Sequence, residues 1–134
     1  MVSGKRVLFV AVCLIVVSAV FPTGAYAHAK DGTLTGTYVA KVERWRPTVA
    51  KQLKRYGVYT KEREGRVLNI IRHESGGNPL ATNGRCIGLL QFDLNWGPRS
   101  VLLNGERSIT KLASAWKRGG TSNIKKHWKA TYDK

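Results

Sequence analysis

Three stretches of this chain repeat their apolar positions at the three- and four-residue spacing of a helix. In the first, Val49, Leu53 and Tyr56 share a face, Pro47 stands where a first turn tolerates proline, and Gly57 is placed to end the segment. The same spacing reaches back through Tyr38, Val42 and Trp45, which predicts either one kinked helix or two abutting ones. In the second stretch Thr60 is an N-cap, and Glu62 and Glu64 lie near the positive end of the helix dipole. Val67, Ile70, Ile71 and Glu74 follow at i, i+3, i+4 and i+7. Gly76-Gly77 closes that helix and Asn78-Pro79 prevents its continuation. In the third stretch Ile109, Leu112, Ala113 and Trp116 lead to a stop at Gly119-Gly120, and Ile124 to Trp128 adds a last turn or two.

Between the second and third stretches, a polar loop from Ala81 to Arg85 runs into Ile87-Gly88-Leu89-Leu90-Gln91-Phe92, which is expected to form a short helix. No segment alternates as a strand, and no repeat or low-complexity tract is found. The expected fold class is therefore mainly α, a single small domain over residues 38–134. Residues 28–37 are polar, rich in Gly and Thr and without period, and read as a flexible mature N-terminus.

Residues 1–27 stand apart. Lys5 and Arg6 precede an apolar run from Val7 to Phe21, and Ala25-Tyr26-Ala27 then offers small residues around a cleavable bond. That order is the order of a secretory signal peptide cut after Ala27, and it predicts a protein that is secreted or held in the cell envelope. The run is about 15 residues, short of the roughly 20 that a membrane-spanning helix needs. The leader also takes Cys13 with it, leaving Cys86 without a partner in the mature chain, so no disulfide framework is expected.

Charge narrows the partners. The chain carries 23 Lys and Arg against 8 Asp and Glu, a formal +15. The leader removes only Lys5 and Arg6, so an exported product this basic is expected to meet an anionic polymer or surface. Export and the lack of a recognised binding module argue against nucleic acid. With only His28, His73 and His127 and one mature cysteine, no ligand spacing suggests a metal, and no phosphate loop or nucleophile elbow is present.

Glu74 is the residue that needs explaining. A carboxylate on the apolar stripe of a helix is costly unless it is paired or protonated. At the last turn it also meets unpaired carbonyls and the negative end of the dipole. Both effects raise its pKa toward what a general acid requires near neutral pH. The competing reading is a glutamate that frays outward or pairs with Arg72 or His73.

Glu74-Ser75-Gly76-Gly77-Asn78-Pro79, then Ala81, then Gly88-Leu89-Leu90-Gln91-Phe92, resembles the active-site segment of the soluble lytic transglycosylases. These are lysozyme-like enzymes that cleave peptidoglycan glycan strands. The resemblance is distinctive over residues 66–93. It implies a small lysozyme-like α-helical domain with the catalytic glutamate, Glu74, at a helix C-terminus. By motif position it further implies that Ser75 orients Glu74 or binds the sugar, that Gln91 donates to an acetamido or hydroxyl group and that Gly88 lets the backbone approach the substrate closely. Phe92 and Trp96 are either stacking faces for sugars or ordinary exposed or core aromatics. The family's third motif, a tyrosine that contacts the catalytic glutamate, has no match here. Ala113-Ser114-Ala115-Trp116 is the nearest in position, and Tyr132 is the only tyrosine beyond it.

Most glycosidases use two carboxylates. Asp93 is the only other acid in the motif region, and it reads as a solvated helix-end residue. A one-carboxylate mechanism fits better, without metal or cofactor. The expected substrate is the peptidoglycan glycan strand, with anionic wall polymers as further partners and a monomeric enzyme. Two alternatives stay open: a hydrolytic muramidase of the same fold, and a cationic wall-binding protein that cleaves nothing.

Overall fold

The computed structural model describes residues 36–134, with side chains from Tyr38 onward; the leader, Cys13 and residues 28–35 lie outside them. Helix α1 (Gly36–Glu43) and helix α2 (Arg46–Arg55) abut with only Arg44 and Trp45 between them. The upstream apolar spacing thus belongs to a second helix, as one of the two alternatives required. Gly36 and Thr37, the last residues of the stretch expected to be flexible, open α1.

Helix α3 (Lys61–Ser75) starts and stops where its caps direct. The Thr60 hydroxyl accepts from the Arg63 amide at 3.0 Å, and Gly76 takes the left-handed conformation (φ 60°) that ends the helix. Val67, Ile70 and Ile71 are fully buried. Helix α4 (Arg99–Leu102) is a single turn, and helix α5 (Gly105–His127) runs on through a break at Gly120 (φ 68°, ψ −172°). The glycine pair thus ends one helical segment, as expected, and a second segment follows it to His127.

Ile87–Phe92 is not the short helix its apolar run suggests. Strands β1 (Thr82–Asn83), β2 (Cys86–Ile87) and β3 (Phe92–Asp93) form a small antiparallel sheet in the order β1-β2-β3. Cys86 lies opposite Asn83 and Asp93, and Ile87 opposite Thr82 and Phe92. Gly84 gives the first hairpin the positive φ (58°) that a two-residue loop takes at its first position. The fold is mainly helical with this sheet inserted between α3 and α4.

The core gathers Val49 and Leu53 of α2, Ile70 and Ile71 of α3, Leu89 and Leu90 of the hairpin loop, and Leu112 and Trp116 of α5. Helix α2 packs against both α3 and α5. Cys86, expected to stand alone, is disulfide-bonded. The expectation rested on losing Cys13 with the leader, and Cys13 lies outside the described residues.

Candidate active site

Two carboxylates sit on the buried stripe of α3, one near each end, and their surroundings differ. Glu64, in the first turn, is only 2% exposed. It accepts from Arg46 Nη1 at 2.6 Å, Lys61 Nζ at 2.7 Å and the Tyr59 hydroxyl at 3.0 Å. Burial pushes its pKa up, but these three hydrogen bonds outweigh burial and hold the carboxyl down at about 2. Arg46 also grips Glu43 through two further bonds of 2.7 and 2.9 Å, which tie the α1–α2 junction to the start of α3.

Glu74, in the last turn, has no such partners. Burial is the dominant influence and raises its pKa to about 7, opposed by a hydrogen bond from Thr131 and the nearby charge of Lys134. Thr131 Oγ1 donates to Glu74 Oε1 at 2.8 Å. Every other described carboxylate (Glu43, Glu62, Glu64, Asp93, Glu106, Asp133) has a lysine or arginine nitrogen within 3.9 Å. Glu74 alone among them has none, in a chain of 23 cationic residues. It neither frays outward nor pairs with Arg72 or His73; His73 points to solvent.

The other motif residues build the wall behind Glu74. The loop joining β2 to β3 is buried, with Leu89 and Leu90 at 0% exposure, so its peptide groups need partners inside the protein. Ser75 Oγ donates to the Leu89 carbonyl at 2.7 Å, and Trp128 Nε1 donates to the Leu90 carbonyl at 2.9 Å. Gln91 Nε2 donates to the carbonyls of Gly88 (2.9 Å) and Ala81 (3.1 Å), from a backbone held at φ 51°. Gly88 (φ 85°) passes so close to the Leu102 carbonyl that a Cβ would collide with it. The expected sugar contacts of Ser75, Gly88 and Gln91 are therefore replaced by structural tasks. The Ser75 hydroxyl and both Gln91 amide hydrogens are committed to backbone carbonyls, and Gly88 is needed for packing. Together they lock the hairpin loop against the C-terminal end of α3.

Phe92 is likewise a core residue, 2% exposed, with its ring 5.3 Å from Trp128 and 5.1 Å from Trp96. That removes it as a stacking platform. Trp96 is half-buried, packed between Phe92 and the His127 ring, whose centre lies 4.6 Å from its own at an interplanar angle of 88°. Asp93 corrects another expectation: it is buried, 6% exposed, not solvated. Its pairing opposite Cys86 draws it inward, and Oδ1 caps the 3-10 turn Leu94–Trp96 by accepting from the Asn95 amide at 2.9 Å. Oδ1 also lies 3.5 Å from Arg85 Nη2, while Oδ2 is buried without a hydrogen-bond partner.

The residue that sequence reasoning missed is Thr131. Tyr132, the only tyrosine in this part of the chain, stands one position further on. Tyr132 turns into the core, 4% exposed, and leaves the Thr131 hydroxyl to reach Glu74. The only local sign was its place three residues after Trp128. What the assembled site provides is a buried carboxyl with a raised pKa, at a helix end that is locked to the hairpin loop through Ser75. Comparison with protein-family models, characterised proteins and solved structures finds no match to this chain.

Proposed function

We propose that this protein is an exported peptidoglycan lytic transglycosylase with a small lysozyme-like domain, acting as a monomer in the cell envelope or outside the cell. The observation that carries this reading is Glu74: the one described side-chain carboxylate without an ion pair, its pKa raised to about 7 by burial. Such a group is protonated often enough at neutral pH to donate, and ionised often enough to accept.

The chemistry needs only that carboxyl. Glu74 gives its proton to the glycosidic oxygen between N-acetylmuramic acid and N-acetylglucosamine as the bond to C1 breaks. The acetamido group of the muramic residue shares the positive charge that develops at C1. The glutamate, now ionised, takes the proton of the same sugar's C6 hydroxyl while O6 bonds to C1, which closes a 1,6-anhydro ring and restores the acid. No water is consumed and no metal or cofactor takes part. Trp96, the half-buried one of the two candidate aromatics, is the residue proposed to meet a sugar ring, and the exposed lysines and arginines favour approach to an anionic wall.

Mass spectrometry of muropeptides released from purified peptidoglycan tests this directly. Products lighter by one water than the hydrolytic ones support transglycosylase action. Products with reducing ends mean a muramidase, and sedimentation with the wall without release means a binding protein.

A further inference from the structure

Thr131 belongs to the turn that follows α5, and that turn is held to α3 by groups other than its hydroxyl. Asn69 Nδ2 donates to the Thr131 carbonyl at 3.1 Å, and Arg66 Nη1 donates to the Tyr132 carbonyl at 3.2 Å. Arg66 and Lys125 reach Asp133 at 3.5 and 3.6 Å, and both cations also lie about 5 Å from the centre of the Tyr132 ring. The hydroxyl is therefore free of any holding task. It lies 2.8 Å from Glu74 Oε1 and 3.5 Å from its only other acceptor, the Trp128 carbonyl, so its single proton goes to the carboxyl.

That bond distinguishes the two oxygens of Glu74. Oε1 is an acceptor for Thr131, whereas Oε2 makes no hydrogen bond among the described residues and is not sealed from solvent. A carboxylic acid whose Oε1 already accepts a hydrogen bond is best protonated on the other oxygen. We propose that Thr131 is a positioning residue that keeps the acidic proton of Glu74 on Oε2, the outward oxygen, and steadies the carboxylate once that proton has left. Lys134, in the same C-terminal turn, is the other charged group acting on Glu74. On α3 the flanking ionisable residues are Arg72 and His73, and on the hairpin Arg85 and Asp93 are occupied with each other.

This assignment rests on Glu74 being the acid, and two readouts separate the two ideas. Thr131→Val keeps the shape and removes the donor, while Thr131→Ser keeps the donor. The Glu74 carboxyl is followed by carbon NMR titration, and glycan release is followed across pH. In Thr131→Val the Glu74 midpoint is expected to rise by about one pH unit, with the alkaline limb of the rate profile moving alongside it. The kcat should fall by about tenfold with KM changed less than about twofold, because the loss concerns the reacting proton and not the binding of the strand. Thr131→Ser should restore both. An unmoved midpoint in Thr131→Val, or a serine variant that behaves like the valine one, overturns the assignment. Should the valine chain not fold, Thr131→Ala set against Thr131→Ser gives the same contrast. A parent that releases no product refutes the enzymatic reading alone, and the titration still judges Thr131.

Discussion

Under the proposed function, replacing Glu74 with glutamine separates catalysis from stability, and the sign of the stability effect is the informative part. Glutamine keeps the shape and can still accept from Thr131, but it cannot cycle a proton. Glycan release should therefore fall by several orders of magnitude. Stability should move the other way. The folded carboxyl titrates at about 7 and an unperturbed one at 4.5. Between those values the folded chain holds a proton that the unfolded chain has lost. Stability then declines as pH rises through this window, because the native state binds more protons. Each pKa unit corresponds to about 1.4 kcal/mol, so the full window amounts to roughly 3 kcal/mol, and residual solvent contact reduces that to about 2.

Glu74→Gln carries no such term. It should match the parent near pH 4.5 and exceed it by about 2 kcal/mol at pH 8. His73 and His127, whose pKa values burial lowers, titrate in both chains and cancel in the difference. The measurement is urea unfolding of both proteins from pH 4 to pH 8, with sacculus digestion in parallel. A glutamine variant less stable than the parent at pH 8 would mean that Glu74 is ionised and well stabilised in the fold. Its assignment as an acid would then lose its physical basis.

Glu64→Gln should act in the opposite sense, lowering stability by about 2 kcal/mol at neutral pH, less than a fully buried pair because Arg46 and Lys61 can rehydrate. Its folded pKa is depressed to about 2, so in the parent this contribution is present above 4.5 and lost as pH falls toward 2; acid unfolding of both chains measures it. Gly88→Ala should cost about 3 kcal/mol or prevent folding, since a positive φ and the Leu102 carbonyl both oppose a Cβ. Gly84→Ala, at φ 58° with open space around it, should cost only about 1 kcal/mol, and thermal melts of the two compare strain with collision. Sedimentation with sacculi should weaken as salt rises, because exposed charges are screened beyond about 8 Å at physiological ionic strength. Binding indifferent to salt would mean that contacts other than charge hold the protein to the wall.

What the sequence made legible was whatever acts within a few residues. Thr60 and Gly76 mark the ends of α3 because each cap bonds to backbone three or four positions away. The stripe through Val67, Ile70 and Ile71 brought Glu74 into the fold, and its environment follows. The hairpin is not legible locally because Ile87–Phe92 takes its partners from distant parts of the chain. Ser75 reaches Leu89 across 14 positions and Trp128 reaches Leu90 across 38, and neither leaves a local pattern. Thr131 meets Glu74 across 57 positions, which no periodicity records. Glu64 carried a signal that was only half read. It stands at i−3 and i−4 to Val67 and Leu68, so the same stripe that buried Glu74 buries it too.

The pair of glutamates on α3 also bears on why the site lies at this end of the helix. At the start, the dipole and two cations favour the charged form, and the carboxyl becomes a structural anchor with a pKa of about 2. At the end, the dipole is reversed and only the Thr131 hydroxyl and the unbonded charge of Lys134 oppose burial, so the identical side chain titrates at about 7. Holding a carboxyl in that condition weakens the fold at neutral pH, and supplying an arginine or lysine would remove the penalty. The chain has many to spare. Arg72 and His73 flank Glu74 in sequence, yet helical geometry sends them to other faces, and only a threonine from the C-terminal turn completes the contact. An unpaired acid kept at its own energetic cost is what proton transfer requires and what a purely structural carboxylate, such as Glu64, avoids.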